Sequence, residues 1–257
     1  MNELSPDMVD QYLDRVGVAG APTVDLAGLT TLMQAHLSAV PFSNLDVFVG
    51  RRVATDLAHS FNKLVIERRG GWCFENNGAF GALLRALGFE TLSLGAAVLL
   101  GGPNKTVDHL CLEVRLDRSW LVDVGFGDSF TLPLDLNERD PQDGGHARYQ
   151  LIDSSQGLTV TRLDGEVPVP QYRFRRVHHP LDDFTPASDA LQDDTSTHWH
   201  HKPFATRLLD GGPDRVTLLT DRLKFRRDGV ETEEPIAQDR WEATLGRWFE
   251  MEMPGDR

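Results

Sequence analysis

Three residues of this 257-residue chain have the type and setting to do covalent chemistry: Cys73, His109 and Asp123. Cys73 lies in Arg69-Gly70-Gly71-Trp72-Cys73-Phe74-Glu75-Asn76-Asn77, just ahead of a helical stripe. Phe80, Leu83, Leu84 and Leu87 fall at i, i+3, i+4 and i+7, and Gly88 follows as a stop. A cysteine at a helix N-terminus meets free backbone N–H groups and the positive end of the helix dipole, both of which favour a thiolate. Gly70 and Gly71 are read as letting the backbone approach a ligand. The competing reading is a buried structural cysteine beside a tight turn.

A nucleophilic thiol needs a base, and the base needs a group that fixes its tautomer. His109 opens a run of period two, with Leu110, Leu112, Val114 and Leu116 on one face and His109, Cys111, Glu113 and Arg115 on the other. Asp123 stands inside Leu121-Val122-Asp123-Val124, where an ionised carboxylate among apolar neighbours requires a partner. If 109–116 and 119–127 form a hairpin about Asp117-Arg118, paired residue numbers sum to about 235, so Asp123 opposes Leu112. His109 and Asp123 then meet only diagonally, across a bulge, or in another strand order. Glu75 and Asp108 read as exposed charges, Cys111 as a small buried hydrophobe and His36 as a packing histidine. The loop histidines His178, His179, His198, His200 and His201 lack any Cys-x-x-Cys or His-Glu-x-x-His pattern that would support zinc.

Positioning these groups falls to a helical first third and a β-rich middle. Ser5-Pro6 caps a helix ending at Gly17. A second helix runs from Thr23 or Asp25 to the stop at Pro41, and a third spans about 56–67. The pattern then shifts to strands at 91–100, 109–116, 119–127, 148–152 and 158–163, an antiparallel sheet or small barrel. The stretch 167–177 is extended, and its two prolines suit an edge. Residues 178–203 are polar and aperiodic and read as a long loop. A last hairpin at 215–220 and 223–227 precedes a helix presenting Trp241, Leu245, Trp248 and Phe249.

The net charge of −13, from 26 basic and 39 acidic residues, argues against a broad nucleic-acid surface. Arg68-Arg69, Arg175-Arg176 and Arg226-Arg227 remain local basic pairs that could meet a phosphate. No apolar run approaches the roughly 18 residues of a membrane span. With no basic and apolar leader at Met1–Ser5, and with two cysteines, the expectation is a cytoplasmic protein.

The motifs together resemble the arylamine N-acetyltransferase family. Arg69-Gly70-Gly71-Trp72-Cys73-Phe74-Glu75 with Asn77 is similar to its nucleophile motif. His109-Leu110-Cys111-Leu112-Glu113-Val114 resembles its histidine strand, and Leu121-Val122-Asp123-Val124-Gly125-Phe126-Gly127 its aspartate strand. Pro41-Phe42-Ser43-Asn44-Leu45 and Ser196-Thr197-His198 are similar to two further segments. The resemblance implies an α+β, papain-like fold: a helical bundle over 1–89, an antiparallel β-barrel over 90–190 and an α/β lid over 191–257. It further implies Cys73, His109 and Asp123 as catalytic residues in ping-pong acetyl transfer from acetyl-CoA to an arylamine or arylhydrazine. The acetyl donor is then a co-substrate, with no tightly bound cofactor and no metal. Phe42, Trp72, Phe126 and Phe204 are implied at the acceptor, and Gly125, Gly127 and Ser129 at CoA.

Several positions depart from the family pattern. Ser43 stands where glutamate is usual, so Arg69 loses its usual partner. Trp72 replaces tyrosine, Asp108 replaces threonine, Trp199 replaces proline, and Leu191-Gln192-Asp193-Asp194 lacks the usual aromatics. Two other enzyme readings use the same triad: a macrolactam-forming amide synthase acting on a polyketide chain, and a thiol hydrolase. A binding module with a redox cysteine leaves Asp123 unexplained. The sequence leaves the preferred amine and the oligomeric state open.

Overall fold

The computed structural model describes residues 3–255 apart from 164 and 166. Helix α1 (Pro6–Val16) begins where the Ser5 hydroxyl accepts from the Met8 N–H at 3.4 Å and ends at Gly17, whose φ of 73° suits a residue without Cβ. Helix α2 (Leu26–Ala39) is capped by Asp25, which accepts from the Gly28 N–H at 2.8 Å. Strand β1 (Phe42–Ser43) and the single turn α3 (Leu45–Phe48) follow Pro41. The third expected helix is present but changes winding. Leu57–Phe61 is the α-helix α4, and Asn62–Ile66 continues it as a wider π-helical turn that buries Lys63. Helix α5 (Cys73–Ala86) lies across this bundle, with Phe74, Phe80, Leu83 and Leu84 buried.

The middle of the chain forms an eight-stranded antiparallel sheet. Its strands are β2 (Glu90–Val98), β3 (His109–Arg115), β4 (Ser119–Val122), β5 (Leu134–Asp135), β6 (Gln142–Asp143), β7 (Arg148–Ser154), β8 (Gly157–Arg162) and β9 (Val169–His178). They run in the order β5-β4-β3-β2-β9-β8-β7-β6. The ends curl toward each other: the Asp135 N–H donates to Gln142 Oε1 at 2.7 Å, and Gln142 Nε2 donates to the Asp135 carbonyl at 3.0 Å. This gives an α+β fold with a nearly closed barrel-like sheet.

Two expectations fail here. Strand β9 is interior, between β2 and β8, not an edge. Pro170 is accommodated because it faces Thr161 beside a register irregularity at which Gln171 of β9 is the extra residue between the Tyr172–Val160 and Pro170–Thr161 pairs. The stretch 178–203 is also not a plain loop. It contains a 3₁₀ turn at Leu181–Phe184, helix α6 (Thr185–Asp193) and a second 3₁₀ turn at His198–His200. Helix α6 buries Ser188 and Gln192, a polar i, i+4 pair, and Gln192 both accepts from the Val53 N–H at 2.8 Å and donates to the Val53 carbonyl at 3.1 Å. The inward face of α6 alternates apolar with polar residues, Ala187 and Leu191 packing on the core beside buried Ser188 and Gln192, so the apolar stripe is short and diluted.

Strands β10 (Ala205–Leu208), β11 (Arg215–Leu218), β12 (Arg222–Arg227) and β13 (Val230–Pro235) make a second antiparallel sheet, which β1 joins at its edge beside β10. Helix α7 (Trp241–Phe249) packs Trp241, Leu245 and Phe249 against Val216, Leu223 and Phe225. Among the described residues no helix is long and apolar enough to cross a membrane.

Candidate active site

Cys73 occupies the first position of α5, buried, with its sulfur 4.0 Å from the Asp108 carbonyl oxygen. The first turn of a helix has no intrahelical acceptors for its N–H groups, so those of residues 73–75 are oriented about this end. Glu75 is not exposed as expected; it is 1% accessible and accepts from the Trp72 N–H at 3.2 Å, closing the helix start from behind. Gly70 and Gly71 also serve a different end from the one read in the sequence. A Cβ on Gly70 would stand 2.6 Å from the Pro41 carbonyl, so the close approach is to the protein's own β1 segment. The Gly71 N–H donates to the Pro41 carbonyl at 3.1 Å and the Ser43 N–H to the Gly71 carbonyl at 2.9 Å.

His109 and Asp123 are brought together. The ladder of β3 and β4 pairs Leu112 with Val122 and ends there, one residue off the expected register and short of the expected strand end at 127. Continued by one step it would set Asp123 opposite Cys111, two residues along the same face from His109, so the contact is diagonal. His109 Nε2 donates to Asp123 Oδ2 at 2.7 Å, both side chains being almost fully buried. Burial by itself disfavours the imidazolium, but the charge and hydrogen bond of Asp123, with those of Cys73, lift the ring to about 10. Since Nε2 belongs to Asp123, Nδ1 is the nitrogen left to serve the sulfur.

Asn77, one helical turn after Cys73, binds the parts. Its Nδ2 donates to the Leu110 carbonyl at 2.6 Å and to Asp123 Oδ1 at 2.9 Å, while its Oδ1 accepts from the Val124 N–H at 2.9 Å. One side chain on the cysteine helix thus holds both strands. The Gly125 N–H completes the shell of Asp123 Oδ1 at 2.9 Å. Gly125 must lack a side chain, because a Cβ would stand 2.7 Å from Cys73 Cα. Asn77 received no role in the sequence reading, although its spacing of four from Cys73 places both on one helix face. Tyr172, also missed, packs its ring 5.0 Å from that of His109, with Phe126 5.2 Å from the same ring.

The other expected site residues separate into groups. The Phe42 and Phe204 rings lie 5.6 Å apart, tilted by 39°, and Trp199 lies 6.3 Å from Phe42, 5.9 Å from Phe204 and 6.3 Å from Trp72. Trp199 therefore joins Phe42, Phe204 and Trp72 in one aromatic cluster, while Phe126 stands on His109. Asn44 fixes that cluster: its Nδ2 donates to the Trp199 carbonyl at 2.8 Å and its Oδ1 accepts from the Phe204 N–H at 2.9 Å. Gly127, at φ 91°, borders Phe42 and Thr206, whereas Ser129 is buried at 3% accessibility. Between them Asp128 receives Arg226 Nη1 at 2.9 Å, tying this turn to β12.

The charge partners differ from expectation in two further places. Arg69, deprived of a glutamate at 43, donates to Asp46 Oδ1 at 2.7 Å. Asp108 is half-buried rather than exposed, accepting from the Val98 N–H at 2.8 Å and Asn104 Nδ2 at 2.7 Å; burial pushes its carboxyl up. Cys111 is buried as expected, and burial raises its thiol well above the ordinary range. His36 is a packing histidine bonded through Nδ1 to the Tyr12 hydroxyl at 2.9 Å. Of the arginine pairs, one member of each is held by a carboxylate: Arg69 by Asp46, Arg176 by Glu113 and Arg226 by Asp128.

The profile of a family described as N-acetyltransferase matches residues 25–257. The arylamine N-acetyltransferase of Escherichia coli K12 is 31% identical over 237 residues, covering 88% of this chain and 82% of that protein. The arylamine N-acetyltransferase structure from Salmonella typhimurium superposes with a TM-score of 0.89 at 27% identity, covering 95% of this chain and 90% of that one. That of Mycobacterium marinum in complex with CoA superposes with a TM-score of 0.87 at 28% identity, covering 94% and 92%. On sequence and fold together, the chain belongs to the arylamine N-acetyltransferase family of enzymes.

Proposed function

We propose that the chain moves an acetyl group from acetyl-CoA to an arylamine or arylhydrazine through a thioester on Cys73, with Cys73, His109 and Asp123 as its catalytic residues. The observation that carries the proposal is the buried imidazole–carboxylate pair: His109 Nε2 donates to Asp123 Oδ2 at 2.7 Å, and the charge and hydrogen bonding of Asp123, with those of Cys73, raise the ring. A ring so placed is cationic and stands ready to exchange a proton in acyl transfer.

In the first half-reaction the Cys73 thiolate attacks the acetyl carbonyl carbon. The tetrahedral oxyanion forms against the N–H groups of the α5 start, each such donor being worth about 3 kcal/mol. The C–S bond to CoA breaks, and the departing thiolate takes the proton from His109. In the second, the amine nitrogen attacks the Cys73 thioester. Neutral His109 accepts the amine proton as the thiolate is expelled, which restores the ion pair. Asp123 holds the ring throughout.

The aromatic cluster of Phe42, Trp72, Trp199 and Phe204, with rings tilted or edge-on to one another, is an apolar surface suited to an aryl acceptor, and Phe126 stands on the His109 side. Gly127, at the turn after Asp123, offers the donor its backbone. The M. marinum relative is solved with CoA, which supports acetyl-CoA here. Initial rates measured while varying acetyl-CoA at several arylamine concentrations are expected to give parallel double-reciprocal lines. Intersecting lines contradict a covalent intermediate, and CoA release that ignores the amine favours hydrolysis.

A further inference from the structure

Glu75 places a buried carboxylate on the very helix end that a thiolate at Cys73 needs. It is the third residue of α5, and its Oε2 accepts from the Trp72 N–H at 3.2 Å, immediately before the cysteine. Uncompensated, that negative charge opposes a second one two residues away. It is compensated from beneath. Lys63 Nζ donates to Glu75 Oε1 at 2.7 Å and Oε2 at 2.8 Å, and forms an ion pair with Asp46 Oδ2 at 2.8 Å. Lys63, Glu75 and Asp46 are 4%, 1% and 5% accessible.

The sequence does not put Lys63 there by an ordinary helix. Leu57, Phe61, Leu64 and Val65 form the apolar stripe of this segment, and the π-helical turn Asn62–Ile66 widens the winding so that residue 63 also points inward. Such turns concentrate at functional positions. The remaining charged neighbours are Arg69, 2.7 Å from Asp46; His59, 3.5 Å from Glu75; Arg51, 3.6 Å from Asp46; and Glu67, 3.5 Å from Arg69. Lys63 is the cation that touches both buried carboxylates.

We infer that Lys63 is a positioning residue for the acyl-transfer reaction, the counter-charge that lets Glu75 cap the α5 start without opposing the Cys73 thiolate. This rests on the reading of Cys73 as the nucleophile. The charge arithmetic of the inner four groups is Lys63 and Arg69 against Asp46 and Glu75, net zero. Lys63→Met leaves −1, Glu75→Gln leaves +1, and the double variant returns to zero.

The test is the pH dependence of Cys73 alkylation by iodoacetamide in the full chain, with Cys73→Ser as the blank. Lys63→Met is expected to move the midpoint up by on the order of one pH unit. Glu75→Gln, whose amide oxygen can still accept from Trp72, moves it down. Lys63→Met with Glu75→Gln returns it toward wild type even where thermal stability stays low, and Lys63→Arg leaves it in place. If Lys63→Met does not fold, the direction of the Glu75→Gln shift decides. Midpoints unmoved in Lys63→Met and Glu75→Gln, or a double variant as displaced as Lys63→Met, overturn the inference. A wild-type midpoint at the value of an ordinary thiol instead overturns the nucleophile reading on which it rests.

Discussion

His109 Nε2 lies 2.7 Å from Asp123 Oδ2, although the ladder between their strands stops at Val122. The chain leaves the sheet as it reaches Asp123, and the carboxylate is then held from three sides by His109, Asn77 and the Gly125 N–H. Asp123→Asn keeps the shape and removes the charge that holds the ring. Acylation by acetyl-CoA is expected to fall by about 10²- to 10⁴-fold, with the fold intact by circular dichroism. A rate within threefold of wild type contradicts the role given to Asp123.

The charge on His109 also links stability to pH. Its folded value of about 10 lies above the roughly 6.5 of an unfolded histidine. The stability that the charged ring contributes is therefore complete below about pH 6.5 and is lost as pH rises toward 10. Thermal midpoints of wild type and His109→Gln, compared from about pH 6 to 10, should converge across that window. A gap that stays constant means the ring is not cationic in the folded protein.

Asn77 is predicted to matter to both folding and rate. Asn77→Ala leaves the Leu110 carbonyl and the Val124 N–H without their partner inside the protein. Unpaired buried groups cost about 1–3 kcal/mol. Urea unfolding should register that loss, and single-turnover acetylation should slow by at least tenfold as Asp123 loses a donor. Unchanged single-turnover rates in a destabilised variant would assign Asn77 to the fold alone.

Gly125→Ala asks whether the turn after Asp123 must pack against Cys73. Its methyl group would stand 2.7 Å from Cys73 Cα and 2.6 Å from Asn77 Nδ2, so either the turn or the helix start must shift. Overpacking of this kind costs about 1–3 kcal/mol. A displacement near 1 Å can cost 10² in rate. Equal activity in wild type and variant, measured with a saturating arylamine, contradicts the close packing.

What the sequence made legible were features that local chemistry dictates. The Ser5 and Asp25 caps, the Gly17 stop and the alternation from His109 to Arg115 each state their own structure. The approach of His109 to Asp123 was foreseen only as one of three possibilities, diagonal, across a bulge or in another strand order, because a one-residue uncertainty in register decides which side chains share a face. Helix α6 was missed because its inward face mixes Ala187 and Leu191 with buried Ser188 and Gln192, which dilutes the apolar stripe amid polar neighbours. Strand β9 was misplaced because Pro170 reads as an edge residue until the irregularity at Gln171 in its own strand is visible.

Charge partners were harder still. Glu75 and Asp108 read as exposed because a carboxylate near a helix start or turn usually is. Only the fold brings Lys63, twelve residues earlier, under Glu75. The partner of Arg69 was likewise invisible: with Ser43 in place of a glutamate, Asp46 on the following helical turn supplies the carboxylate. Trp199, seen only as a departure from proline, fills the aromatic cluster beside Trp72.

The central claim is that Cys73 carries the acetyl group. Intact-mass spectrometry of the full chain after brief exposure to acetyl-CoA tests it most directly, with Cys73→Ser alongside. A single acetyl adduct is expected on the wild type, none on the variant, with discharge of the adduct when an arylamine is added. No adduct on a wild-type protein whose Cys73 alkylates rapidly near neutral pH, or an adduct that persists in Cys73→Ser, would contradict it.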